Sequence, residues 1–197
     1  MNLGVKNSDQ LWRLGKSDLG LLVHRDFKGL VDRTTIIRIS SFLRKFSNID
    51  VIDYVEPDPL TVVRMAKIPN NNLGLVMLAM LAIPRGFVAS YSDLAELLNM
   101  TPRLIGLFAS KNPLPVLVPC HRVINRDGTI GGYSAWHRDG RSIKALLLTM
   151  ENVKVNGVKV SKDHFIDSSE LKDNFYRIYN YYHSLVSEYN SSSEQSE

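Results

Sequence analysis

Two short helical segments with strong start signals constrain the fold of this chain more than any other feature. Ser90 is a suitable N-cap for a helix whose leucines share one face. Thr101 is a suitable N-cap for the next helix, with Pro102 at the first helical position, where proline is favoured. Two short helices joined by a tight turn are the pattern of a helix-turn-helix, although many such pairs only pack against each other.

The segments around these helices predict an α+β protein. Residues 1–68 contain β-prone runs and are expected to form a small mixed α/β supporting domain. Residues 69–155 are expected to form a mostly helical domain that holds the helix-turn-helix and a strand or loop around Cys120. Residues 156–197 are expected to be an extension with one amphipathic helix and a disordered, serine-rich end beginning at Asn190. The apolar stripe of that helix favours packing on the body of the protein over binding of a partner.

Charge is distributed unevenly along the chain. The net charge is +4, yet residues 81–150 carry eight Lys and Arg against four Asp and Glu, whereas residues 162–197 carry three against seven. A basic middle segment favours a polyanion as partner, although many basic stretches are only solvated. The longest apolar stretch, residues 73–83, is too short to span a bilayer, and the N-terminus lacks the apolar segment of a secretory signal. We therefore expect a cytoplasmic protein without membrane contact.

The single cysteine, Cys120, excludes an internal disulfide and a cysteine-rich zinc site. A lone cysteine is usually buried and inert, but His121 and Arg122 offer a base and a positive charge beside this one. Glu151, at the end of a predicted helix, could orient the histidine in a nucleophile–base–orienter relay. Neighbouring side chains of a strand point to opposite faces, so a Cys–His contact would need a tight bend or a bridging water. A satisfied buried histidine and a solvated helix end remain the alternatives for His121 and Glu151.

Residues 119–123, Pro-Cys-His-Arg-Val, closely resemble the active-site signature of the methylated-DNA–protein-cysteine methyltransferases, also called O-6-alkylguanine–DNA alkyltransferases. The resemblance covers residues 73–153, in the family's order and nearly its spacing. The other matching segments are Ser90-Tyr91, residues 98–103, residues 111–115, the glycine-containing residues 130–134 (otherwise typical of a hairpin turn) and residues 144–151.

The resemblance implies a reaction in which Cys120 takes an alkyl group from O-6 of guanine and keeps it. His121 would deprotonate the thiol through a water, and Glu151 would hold the histidine. Tyr91 would donate a proton or hydrogen bond to the departing guanine, whose developing negative charge needs stabilising. The residues with an implied substrate-binding role are Asn112, Val123, Tyr133, Ser134 and Lys144.

The resemblance also implies double-stranded DNA containing O-6-alkylguanine as the partner. The modified nucleotide must leave the stack to reach a buried thiol, and Arg103 would fill the space it vacates. Contacts from the second helix in the minor groove would be mostly to phosphates and therefore sequence-tolerant. We also expect DNA contacts from Ser90, Thr101 and Arg122. Each protein molecule, expected to be a monomer, would react once, with no cofactor and no metal.

The sequence departs from the family pattern at residues 135–140, where Trp136 could narrow the substrate pocket. Three other interpretations stay open: a non-catalytic sensor of alkylation damage with the same fold, a cysteine hydrolase, and a DNA-binding regulator. A hydrolase would need an oxyanion hole, which the sequence does not clearly provide. The preferred alkyl group and activity on O-4-alkylthymine stay open as well.

Overall fold

The computed structural model describes residues 58–66, 68–133 and 140–194. The chain divides into two compact units, one of residues 1–58 and 65–67 and the other of residues 59–64 and 68–197. The expected N-terminal α/β domain therefore lies outside the described residues. In the second unit, helices and short strands combine as the predicted α+β class requires. In chain order they are α1 (Pro59–Met65), α2 (Asn72–Leu81), β1 (Ala89–Ser90), α3 (Tyr91–Leu97), α4 (Pro102–Ser110), β2 (Val123–Ile124), α5 (Gly140–Met150), β3 (Val155–Asn156), β4 (Lys159–Val160) and α6 (Ser168–Glu194).

Helices α3 and α4 form the predicted helix-turn-helix, and each begins at the expected cap. The Ser90 hydroxyl accepts the backbone N–H of Asp93, and the Asp93 carboxylate accepts the N–H of Ser90, which completes a capping box. The Thr101 hydroxyl caps α4 by accepting the backbone N–H of Leu104, and Pro102 is at the first position of that helix. The turn between the helices contains Asn99 at φ 51°, a left-handed conformation that asparagine tolerates better than most residues.

Helix α2 is buried along its second half, from Val76 to Leu81. It contacts α4 and α6, and the backbone approach at Pro69 requires a glycine at position 74. A Cβ at Gly74 would lie 1.8 Å from the Pro69 carbonyl oxygen. The stripe of α6 packs as predicted, and its buried members are Leu171, Phe175, Ile178 and Tyr182.

The strands are short and hold the segment around Cys120 in place. β1 pairs in parallel with β2, whereas β3 and β4 form an antiparallel hairpin. The hairpin continues onto residues 128–130 through the Ile130 N–H to Val158 and the Val160 N–H to Gly128. These strands share one apolar core, whose fully buried members are Val88, Ile124, Ile130, Leu148, Val153 and Val160.

Two expectations about the C-terminal region need correction. The predicted boundary between residues 155 and 156 falls inside the β3–β4 hairpin, so the extension is continuous with the domain. Helix α6 also continues through Asn190 to Glu194, into the end that we expected to be disordered. The apolar stripe of α6 packs along α2 and stabilises this helix. The serines near its end extend the same helix.

Candidate active site

A tight turn, and not a strand, presents Cys120. Residues Cys120–Arg122 form one turn of 3-10 helix, which places neighbouring side chains in directions that an extended strand would not allow. The thiol is 6% exposed, and the side chain of Asn112 donates to it from 3.2 Å. The same amide nitrogen donates to the Val118 carbonyl, and the Asn112 oxygen accepts the N–H of Leu114. Asn112 therefore fixes the thiol and the backbone that leads to it.

The segment before the thiol carries backbone strain. Val116 has φ 77°, in the left-handed region that a β-branched residue rarely adopts, and its side chain is buried. Such a conformation costs about 1–3 kcal/mol and persists where the surrounding structure enforces it. Here the Val118 N–H bonds the Leu114 carbonyl across the turn. Asn112 and this turn together hold residues 114–118 in one conformation.

The surroundings of Cys120 keep its thiol protonated at neutral pH. Burial raises the pKa of Cys120 above its ordinary value of 9.0. Hydrogen bonds from Asn112 and Tyr133 and the charge of Lys144 lower it again in part. The Tyr133 hydroxyl lies 3.8 Å from the sulfur. A thiol in this state needs a base before it can act as a nucleophile.

His121, Arg122 and Glu151 form a buried network beside the thiol. Nε2 of His121 lies 2.7 Å from one carboxylate oxygen of Glu151. Arg122 donates to both oxygens of the same carboxylate from 2.8 Å, and to the Ile83 carbonyl, also from 2.8 Å. Burial alone would raise the pKa of Glu151, but the electrostatic interactions and hydrogen bonds with His121 and Arg122 lower it to about 2. Glu151 is therefore an anion at neutral pH and can only accept hydrogen bonds.

The ionised carboxylate of Glu151 determines which nitrogen of His121 carries a proton. Because the carboxylate only accepts, Nε2 must be the donor, and in the neutral imidazole Nδ1 then carries the lone pair. Nδ1 is buried and has no hydrogen-bond partner among the residues that the structure describes. The network thus leaves one basic nitrogen of His121 available, next in sequence to the thiol.

Two of the residues expected to contact DNA are inside the protein. Arg122 is 1% exposed, and its guanidinium is bound to Glu151 and to backbone, so it cannot reach a phosphate from this position. Ser90 is also 1% exposed, and its hydroxyl is already bound to the N–H of Asp93 in the α3 cap. Their positions disagree with direct DNA contacts. Thr101 and Arg103, in contrast, are exposed at the start of α4.

Tyr91 and Lys144 lie together, and both interact electrostatically with Cys120. The Lys144 ammonium is fully buried, 5.6 Å from the centre of the Tyr91 ring, and donates to the carbonyls of Val123 and Gly132. Burial lowers the pKa of Lys144 to about 8, against the opposing effect of Cys120. Burial, and then the electrostatic interaction with Cys120, raise the pKa of Tyr91 to about 12. At neutral pH the site therefore holds a protonated tyrosine beside a cation.

The loop after β2 contributes Tyr133, which is buried next to the sulfur. Gly131 has φ 72°, and a Cβ there would lie 3.3 Å from the Asn125 amide, so the turn favours glycine. Ser134, Trp136 and the rest of residues 134–139 lie outside the described residues. All the other predicted catalytic and substrate-binding residues are described, and they lie around the thiol or in the network of His121, Arg122 and Glu151.

The surface of α4 has a feature that the sequence analysis did not identify. Leu104 and Leu107 are 40% and 46% exposed, one helical turn apart and close to Arg103. Amphipathic patterning predicts that leucines of a short helix lie in the core, so no sequence signal distinguished these two exposed leucines from buried ones. Among residues 58–66, 68–133 and 140–194, no cluster of His, Cys, Asp and Glu could hold a metal ion, and no helix could cross a membrane.

The helix-turn-helix leads into a buried thiol, and a histidine–carboxylate pair lies beside that thiol. Together these features define a class of DNA-binding proteins with a reactive cysteine. Known proteins narrow this class. The family described as "6-O-methylguanine DNA methyltransferase, DNA binding domain" matches residues 74–153. The methylated-DNA–protein-cysteine methyltransferase of Saccharolobus islandicus is 34% identical over 154 residues, which cover 74% of this chain and 97% of that protein. The chain therefore belongs to the methylated-DNA–protein-cysteine methyltransferase family.

Other relatives match over a shorter length. The protein of the same name from Archaeoglobus fulgidus is 49% identical over 73 residues, 36% of this chain and 49% of that protein. This chain thus spans about half the length of that relative and of the one from Pyrobaculum aerophilum. Among solved structures, the O6-methylguanine-DNA methyltransferase of Pyrococcus kodakaraensis is 30% identical, with a TM-score of 0.43 over 62% of this chain and 82% of that one.

Proposed function

We propose that this protein repairs DNA by moving the alkyl group of an O-6-alkylguanine to the sulfur of Cys120. The observation that carries the proposal is the pairing of a buried, protonated thiol with a histidine whose one available nitrogen is a base. Membership of the methyltransferase family supports the same reaction. The protein would be cytoplasmic and would act as a monomer.

The first step is removal of the thiol proton. His121 accepts it at Nδ1 through a bridging water, and Glu151 stabilises the imidazolium that forms. Glu151 is suited to this because it stays ionised against Arg122. The charge of Lys144 also favours the thiolate form of Cys120.

The second step is a direct displacement at the alkyl carbon. An electron pair of the Cys120 sulfur forms the new C–S bond, and the pair of the breaking C–O bond moves onto the guanine. Tyr91 would donate to the departing base, and burial supports this role because it raises the pKa of Tyr91 to about 12 and keeps the hydroxyl protonated. The Tyr133 ring, which is buried beside the sulfur, would form a wall of the pocket, and Ser134 would contact the alkylated oxygen.

Recognition of the base would use backbone groups near the thiol. The Val123 carbonyl already accepts Lys144 but has a second lone pair, so together with the Cys120 backbone it can still bind the amino group of guanine. Lys144 would contribute by holding this carbonyl and that of Gly132 in place. Asn112 would keep the thiol turned toward the substrate.

A duplex can present O-6 to a thiol that is 6% exposed only if the nucleotide is flipped out. Arg103, exposed on α4, would enter the vacated stack, and Thr101 would contact the backbone at the start of the same helix. The thioether product is stable, so each molecule would act once. The proposed reaction needs no cofactor.

The test measures the guanine restored in the DNA. A duplex with a single O-6-methylguanine is incubated with increasing amounts of protein, and the guanine restored is quantified after digestion to nucleosides. We expect one guanine per protein molecule, and none with Cys120→Ser, whose binding to the same duplex is measured as a control. Binding without any restored guanine in the wild-type protein would show a damage sensor instead of a transferase.

A further inference from the structure

His164, in the C-terminal segment beyond the resemblance, joins two parts of the chain that are far apart in sequence. Its Nδ1 lies 2.8 Å from the Gly86 carbonyl oxygen, and its Nε2 accepts the N–H of Lys154 from 3.0 Å. Because a carbonyl only accepts, Nδ1 is the donor to Gly86, and Nε2 is the acceptor from Lys154. One imidazole thus connects the segment before β1 to the segment after α5.

Both of these segments lead to Glu151. Lys154 follows it by three residues, directly after the turn that closes α5. On the other side, residues 83–87 bind the same helix end, since the Arg85 guanidinium donates to the Met150 carbonyl from 3.0 Å. The Ile83 carbonyl accepts a hydrogen bond from Arg122, which also donates to the Glu151 carboxylate.

Gly86 itself lies against the end of α5. It has φ 85°, and a Cβ built on it would be 3.5 Å from the Glu151 carbonyl oxygen. The His164 bond to Gly86 therefore acts on backbone that lies close to the backbone of Glu151. The histidine closes a ring of contacts around that residue: His164 to Gly86, residues 83–87 to the end of α5, and Lys154 back to His164.

We propose that His164 is a positioning residue that holds Glu151, and through it His121, in the geometry needed to deprotonate Cys120. The inference rests on the proposed alkyl transfer. It gives the C-terminal segment a role in the reaction although none of its described residues contacts the thiol. The bonds of Arg122 and His121 to one carboxylate tolerate little displacement, because charge-assisted hydrogen bonds near 2.8 Å depend on geometry.

The structure indicates that the imidazole can be removed without detaching the segment. The Val88 N–H donates to the His164 carbonyl, and the Ile166 N–H donates to the Val88 carbonyl, so backbone pairing holds residues 164–166 beside β1. Ile166 is buried as well. A variant at His164 is therefore expected to fold, which circular dichroism and thermal unfolding would check.

The test compares His164→Ala and His164→Asn with the wild-type protein. Rates of methyl transfer from the free base O-6-methylguanine, which needs no DNA contact, are measured from pH 6 to pH 10. We expect His164→Ala to lose about tenfold at pH 7, as a small misplacement of a reacting group does. His164→Asn should lose less, since its amide can still donate to Gly86. The loss should shrink as the pH rises, because a thiol that ionises without a base no longer depends on His121.

Tyr182→Phe is the matched control. It removes one hydrogen bond of the C-terminal segment, from the Tyr182 hydroxyl to the Ile68 carbonyl, without touching the ring of contacts around Glu151. Its transfer rate should equal that of the wild-type protein at every pH. A His164→Ala protein with the wild-type rate at pH 7, or with the same loss at all pH values, would overturn the positioning role.

The outcome can be separated from failure of the proposed function. If the wild-type protein transfers no methyl group, the rate of Cys120 carbamidomethylation by iodoacetamide at pH 7 is compared instead. A slower reaction of His164→Ala than of Tyr182→Phe would support positioning of the base even then, and equal rates would refute it.

Discussion

Replacement of Glu151 by glutamine should weaken the folded protein by an amount that depends on pH. The pKa of Glu151 falls from its ordinary value of 4.5 to about 2 in the folded state, which corresponds to about 3 kcal/mol of stabilisation when the carboxylate is ionised. Glutamine removes the charge and leaves the buried Arg122 without its counter-ion, a change of similar cost, about 3–5 kcal/mol. We therefore expect Glu151→Gln to lose about 3 kcal/mol of unfolding free energy at pH 7.

The pH dependence has a definite sign. A carboxyl whose pKa is lower in the folded state stabilises the protein above its unfolded pKa, and this contribution disappears as the pH falls through the folded value. The difference in unfolding free energy between the wild-type protein and Glu151→Gln should therefore disappear as the pH falls from about 5 to about 2. Urea unfolding at pH 7, 5 and 3, followed by tryptophan fluorescence and circular dichroism, measures the difference.

Arg122→Met provides the control for this reasoning. Each single variant leaves one buried charge unpaired, whereas Arg122→Met/Glu151→Gln leaves none, so the double variant should be more stable than the sum of the two single losses predicts. A Glu151→Gln loss below about 1 kcal/mol at pH 7, or a loss that is the same at pH 7 and pH 3, would refute a buried, ionised carboxylate.

Three further predictions follow from single positions. Gly74→Ala should lower the free energy of unfolding by about 3 kcal/mol or more, because its Cβ would lie 1.8 Å from the Pro69 carbonyl oxygen; an unchanged urea midpoint would contradict this packing. Ser90→Ala should lose about 1 kcal/mol in the same assay, since a buried capping box is removed, with Ser184→Ala on the exposed surface as the control. Arg103→Ala should slow repair of a duplex on the order of tenfold more than reaction with free O-6-methylguanine, and equal losses on both substrates would argue against its entry into the vacated stack.

Local signals in the sequence predicted the elements that carry the site. Ser90, Thr101 and Pro102 mark the helix-turn-helix because caps depend only on nearby backbone. The association of Cys120, His121 and Glu151 was predicted as well, and the structure brings the last two within 2.7 Å. The β3–β4 hairpin was missed although Asn156-Gly157 between alternating valines and lysines is a strong hairpin signal.

Other features depend on contacts that no local pattern shows. A basic residue beside a cysteine can face a phosphate or a buried carboxylate, and only the tertiary position of Glu151 puts Arg122 inside. His164 bonds Gly86 across 78 residues of sequence, and its neighbours give no periodic signal. Val116 adopts a left-handed conformation against its intrinsic preference because Asn112 and the turn enforce it. These are places where packing overrides local propensity.

The most direct test of the central claim is the mass of the protein after it meets its substrate. The intact protein is incubated with an excess of duplex containing O-6-methylguanine, weighed by mass spectrometry, and digested to locate any modification. The account predicts a gain equal to one CH2, as S–H becomes S–CH3, confined to the peptide that contains Cys120 and saturating at one per molecule. An unchanged mass, or a methyl group on any other residue, would contradict it.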